Sequence, residues 1–93
     1  MIRSFASAQT ERLFRRKQVA EFANIESVAR RRLLALNNAV VVFDLRIPPG
    51  NKLEALSGER QRQWSIRIND QYRICFIWKE DGPHEVEITK HYR

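Results

Sequence analysis

The spacing of apolar and polar positions changes partway along the chain. From Asn24 onward, Ile25, Val28, Ala29, Leu33, Leu36 and Val40 recur at the three- and four-residue intervals of one helix face. Asn24 is the expected cap, Asn37-Asn38 the expected end, and Glu26 and Arg30 stand one turn apart on the outer face. A shorter helix is expected before it, capped by Thr10 and reaching about Lys17, with Leu13 and Phe14 inward and Glu11 one turn from Arg15. Ahead of that, Arg3-Ser4-Phe5 reads as a short strand.

Neither a helix nor a central strand could cross Pro48-Pro49-Gly50-Asn51, and beyond it the period drops to two. Trp64, Ile66 and Ile68 alternate with Ser65 and Arg67. Asn69-Asp70 supplies turn chemistry, after which Tyr72, Ile74, Phe76 and Trp78 resume the alternation. Cys75 and Ile77 make the opposite face partly apolar too, which predicts a central strand. Asp81-Gly82-Pro83 turns the chain again, and Val86 and Ile88 form the last strand. Two helices followed by a meander predict an α+β fold, with the helices on one face of a small, mostly antiparallel sheet. The 93 residues amount to a single domain, 1–93, with no repeat or linker.

Composition narrows the setting. Cys75 is the only cysteine, so neither an internal disulfide nor a multi-cysteine zinc site is available. Met1-Ile2-Arg3-Ser4-Phe5 runs into polar residues instead of a signal-peptide core, and no stretch is long enough to span a membrane. The expectation is a soluble, cytoplasmic protein. Net charge is +6. Most of it lies before Val40, in Arg3, Arg12, the run Arg15-Arg16-Lys17 and the run Arg30-Arg31-Arg32. That asymmetry points to an anionic partner, nucleic acid or acidic protein. The two runs could face ribosomal RNA, an acidic region of a partner, or water.

The common enzymatic signatures are missing. There is no glycine-rich phosphate loop and no GxSxG elbow, and His84 and His91 lack metal-ligand spacing. No cofactor or metal is expected. What remains is a concentration of Arg, Lys, His and Tyr on and around the strands, which suffices for metal-free RNA cleavage. There the 2′-OH attacks the adjacent phosphate, and the protein orients the groups, stabilises the phosphorane and moves protons.

The run from Pro48 to Gly58 (PPGNKLEALSG) resembles the segment before the central hairpin of the HigB family. Trp64 to Phe76 (WSIRINDQYRICF) resembles the family's hairpin, and Val86-Glu87-Ile88-Thr89 its last strand. The similarity starts at Ile2-Arg3-Ser4-Phe5 and covers essentially the whole chain. It implies a RelE-like fold and a type II toxin–antitoxin toxin that cleaves messenger RNA in the ribosomal A site. It also implies a HigA-like helix-turn-helix antitoxin, through which operator DNA is contacted only indirectly.

By the same resemblance Arg73 matches the family's catalytic arginine, a group suited to bidentate phosphate binding. Many relatives end in Asp-Tyr-His, where this chain reads Lys90-His91-Tyr92. Lys90 then stands in the place of the acid, His91 shuttles the proton, and Tyr92 stacks on a base or supports the leaving group. Glu54 and Ser57 stand where some relatives carry a histidine and a lysine that contact RNA, which makes Glu54 a candidate general base. Lys52, Arg60, Arg62 and Arg67 are candidate phosphate contacts.

Simpler roles exist for each. Arg73 could lie on the solvent face or pair with Glu87, and Glu54 could be an exposed strand residue. His91-Tyr92-Arg93 could be a frayed tail, and the cations could be solvated. Trp64, Tyr72, Phe76 and Trp78 read as core, Cys75 as a small buried hydrophobe and His84 as a loop residue. The competing function is a weakly active or non-catalytic toxin-fold module acting through antitoxin binding and operon autoregulation.

Overall fold

The period-two half of the chain folds into an antiparallel meander. A computed structural model describes residues 1–90, so His91 and Tyr92 lie outside the described residues. Its strands are β1 (Glu54–Ala55), β2 (Gln63–Arg67), β3 (Tyr72–Lys79) and β4 (Gly82–Lys90), in the spatial order β1-β2-β3-β4. The β2–β3 turn forms because the Asn69 side-chain carbonyl accepts from the backbone N–H groups of Gln71 and Tyr72, at 2.8 and 2.7 Å. β3 is flanked on both sides, as its two partly apolar faces predict. The last strand is longer than expected. Gly82 and Pro83, read as turn, already belong to β4. Gly82 has φ +121°, and a Cβ there would come within 2.8 Å of the Met1 carbonyl oxygen, so only glycine fits.

Two helices, α1 (Ala8–Phe14) and α2 (Glu26–Asn38), cover one face of the sheet. Both begin differently from the sequence expectation. Ser7 caps α1, its hydroxyl accepting from the Thr10 N–H at 3.2 Å. Thr10 lies inside the helix, fully buried, and its Oγ1 accepts from the Ile88 N–H at 3.0 Å. α1 ends at Phe14, short of Lys17, and Glu11 pairs with Arg15 as expected. A 3₁₀ turn over Ala20–Ile25 contains Asn24, so α2 starts after Ile25 with no side-chain cap.

Ala29, Leu33 and Leu36 of the predicted stripe are buried and Glu26 pairs with Arg30, whereas Val40 is 84% exposed. The helix ends at Asn38 and Ala39 is extended, so the helical period no longer governs Val40. The core between the layers is formed by Leu13, Phe22, Leu33 and Leu36 against Ile66, Ile74, Phe76 and Val86. Each such side chain contributes roughly 1.5–3 kcal/mol by burial.

The N-terminal segment closes the free edge of β4. It forms a single parallel bridge, Phe5 to Val86, in place of a separate strand. Arg3 N–H donates to the Pro83 carbonyl, Ala6 N–H to the Val86 carbonyl, and Val86 N–H to the Ser4 carbonyl. With Thr10 on Ile88, these bonds satisfy an edge that would otherwise be open to pairing. Among the described residues no helix is long and apolar enough to cross a membrane.

Candidate active site

The helices cover one face of the sheet and leave the other open. Pairing register decides which side chains meet there, because alternate residues of a strand point to opposite faces. Ile66, Ile74 and Ile88 point into the helical core, so Arg67, Arg73 and Thr89 share the open face, with Arg73 between the other two. Two pairs further along, on the same face, Ser65, Cys75 and Glu87 lie side by side, with Glu54 of β1 next to Ser65.

Arg73 is half-buried, and its Nε is buried with no hydrogen-bond partner among the described residues. A buried donor left unpaired is costly, so an anion reaching it would be held. The Arg73–Glu87 pair considered from sequence does not form. Glu87 instead accepts from the Arg60 guanidinium at 2.9 Å, and Gln63 Oε1 accepts from the same nitrogen at 2.9 Å. The bond from Glu87 pushes Arg60 above its ordinary value, fixing it as a cation. Burial pushes the Cys75 thiol up, only partly countered by Arg73 and Arg60, so it stays neutral.

Arg60 and Arg73 line an open, polar pocket of about 440 Å³ together with Glu54, Ser57 and Glu59. Cations thus meet two carboxylates and a hydroxyl in one depression, which suits a ligand carrying both a phosphate and N–H or O–H donors. Glu54 is exposed within β1. Of the proposed site residues the pocket gathers Arg73, Glu54 and Arg60.

The others sit elsewhere. Arg67 is the register partner of Arg73, but its guanidinium pairs with Asp70. Lys52 and Arg62 are exposed at left-handed backbone positions, φ 46° and 77°. Lys90 pairs with Tyr72 and lies over its ring at 5.9 Å, on the helical side of the sheet and away from Arg73. Glu59, Gln63 and the Arg60 contact of Glu87 were not anticipated. The outward phase of Glu87 on the last strand was the only sequence signal for it.

A family model described as RelE-like toxin of type II toxin-antitoxin system HigB matches residues 3–91. The chain belongs to the HigB-like toxin family. Among its relatives is Toxin HigB-1 of Vibrio cholerae, 46% identical over 56 residues, which is 60% of this chain and 59% of that toxin. An uncharacterised protein of Haemophilus influenzae is 30% identical over 69 residues, 74% of this chain and 68% of that protein. The match therefore spans less than two thirds of the Vibrio toxin's length. The two helices and four-stranded antiparallel sheet agree with the RelE-like fold expected of HigB-like toxins.

Proposed function

We propose that this HigB-like toxin is a ribosome-dependent endoribonuclease. It cleaves messenger RNA in the ribosomal A site with its own side chains, without a metal ion or cofactor, and so inhibits translation and growth. The observation that carries the proposal is the buried Arg73 Nε, without a partner among the described residues, in a pocket that also holds Arg60, Glu54 and Ser57.

The chemistry follows from those groups. The ribose 2′-OH attacks the adjacent phosphorus and the bond to the 5′-oxygen breaks, leaving a 2′,3′-cyclic phosphate and a 5′-OH. Arg73 binds the non-bridging oxygens and gains most when the phosphorane carries extra charge, the condition for lowering a barrier. Arg60, held by Glu87 and Gln63, adds a second fixed cation on the pocket wall. Glu54 lines the same pocket and takes the 2′-OH proton, while His91 returns one to the leaving oxygen with Tyr92 stacking beside it. Lys52, Arg62 and Arg67 hold flanking phosphates in a salt-dependent way, and Lys90 supports the end of β4. The partners are the ribosome with its message and a HigA-like antitoxin, which alone touches operator DNA.

The test is expression of the chain alone, with message integrity followed by primer extension. Growth arrest with discrete cuts, both abolished by Arg73→Ala, is the expected result. Normal growth and intact messages in the presence of soluble protein would refute the nuclease and leave a binding module. Purified protein should cut message on programmed ribosomes and spare the same message free in solution.

A further inference from the structure

The two arginine runs could face RNA, an acidic protein or water, and the geometry separates these possibilities. Arg30 is used within the fold. Its guanidinium donates to the Leu13 carbonyl at 3.2 Å and the Lys17 carbonyl at 2.9 Å, and it pairs with Glu26. Arg32 reaches the other way and donates to the Arg67 carbonyl at 3.1 Å. Arg16 and Arg31 stand with Arg30 at a pocket of about 280 Å³ between α1 and α2, whose apolar wall is Phe14 and Leu34, and Arg31 also donates to the Ser27 hydroxyl at 3.2 Å. Leu34 is 55% exposed, facing away from the core its neighbour Leu33 fills.

We infer that this pocket docks an acidic protein segment that carries a single aliphatic or aromatic anchor residue. At about 280 Å³ the pocket lies at the lower edge of the range for small-molecule sites, about 300–1,000 Å³, and has room for one large side chain. Its walls would bury the anchor in the way interface hot spots are buried, while Arg16 and Arg31 complement carboxylates on either side. Single-stranded RNA fits less well. Its phosphates gain nothing from a leucine wall, and its bases need an open aromatic face. Phe14 is half-buried and its ring packs against Phe5 at 5.6 Å, tilted 44°, so at most part of its face is open to a stacking base. The pocket lies on the helical side of the sheet, opposite Arg73, so the inference is independent of the cleavage chemistry.

The probe is a short fluorescein-labelled polyglutamate peptide with one central leucine, titrated by anisotropy, with Leu34 methyl signals followed by NMR. Binding should weaken about tenfold or more when the central leucine becomes serine, and similarly in Leu34→Glu. Arg31→Glu, at an exposed position, should weaken it comparably while leaving the melting curve unchanged. Leu34 methyls should shift with the peptide and stay still with oligouridine. Equal binding of the leucine-free peptide, oligouridine shifts at Leu34, or no peptide binding at all would each overturn the inference.

Discussion

Thr10 fastens α1 to the edge of the strand that leads toward the candidate site. Its hydroxyl is fully buried and accepts the Ile88 N–H at 3.0 Å. Replacing it with valine keeps the shape and removes the acceptor. Leaving a buried donor unsatisfied costs about 1–3 kcal/mol, and the added buried methyl returns about 0.8 kcal/mol. The expected net loss is therefore about 0.2–2 kcal/mol, or roughly 1–16 °C in melting temperature for a domain of this size. Thr10→Ser should lose about 1 kcal/mol for the deleted methyl and keep the bond. Urea and thermal melts followed by circular dichroism give the energies. Amide exchange of Ile88 separates the two variants, with protection lost in valine and retained in serine. A valine variant as stable as the parent, or an Ile88 amide equally protected in both, would refute the reasoning. Ser7→Ala should cost about 1 kcal/mol through the helix cap alone, with Ile88 unaffected.

Arg73→Met should abolish cleavage while leaving the melting temperature equal or higher, because a buried donor without a described partner is removed; a marked fall would mean that Arg73 is structural. Asn51, fully buried, donates to the Leu45 and Ile47 carbonyls at 3.1 and 3.3 Å. Asn51→Ala should lose about 1–2 kcal/mol in urea melts, beside the pocket-bearing segment. The Cys75 thiol is raised by burial, so its contribution to stability is whole below the unfolded thiol's value of about 8.5 and is lost as pH rises through the folded value. Urea midpoints of the parent should accordingly fall with alkaline pH more steeply than those of Cys75→Ala. Asp44 is held below the usual carboxylate value by the Val40 and Val41 N–H groups, so the stability it gives should persist until pH falls below about 3.9. Carboxyl carbon NMR of Asp44 reads its titration directly.

The parts legible in the sequence were those governed by a short period. Alternation around Trp64, Tyr72 and Val86 shows the strands, and the three–four spacing from Ile25 to Leu36 shows the main helix, because burial of one face dictates both patterns. Thr10 was misread as a cap because its partner is not local, and Asn24 because a 3₁₀ turn precedes α2. Thr10 looks like a cap until Ile88, 78 residues away, claims its hydroxyl. Similarly, Arg60 and Glu87 are 27 residues apart and meet only across the sheet. Arg73 was legible as a site through family resemblance, whereas the burial of its Nε without a partner among the described residues depends on packing that no spacing rule encodes.

One irregularity explains why core and site can share a strand. Along β3–β4 the register runs Ile77 with His84 and then Cys75 with Glu87, so β4 carries one extra residue. Glu85 absorbs it at φ 51°, and its N–H is caught by the Ser4 hydroxyl at 2.9 Å. In an unbroken ladder Val86 would oppose Cys75 on the open face, and Glu87 would turn toward the helices. A one-residue slip exchanges every side chain between faces, and here it is applied to half a strand. Val86 and Ile88 thereby enter the core, while Glu87 meets Arg60 and Thr89 stands beside Arg73. The N-terminal segment that bonds Val86 and Glu85 holds the bulge in place, so the chain's first residues help set which groups face the pocket.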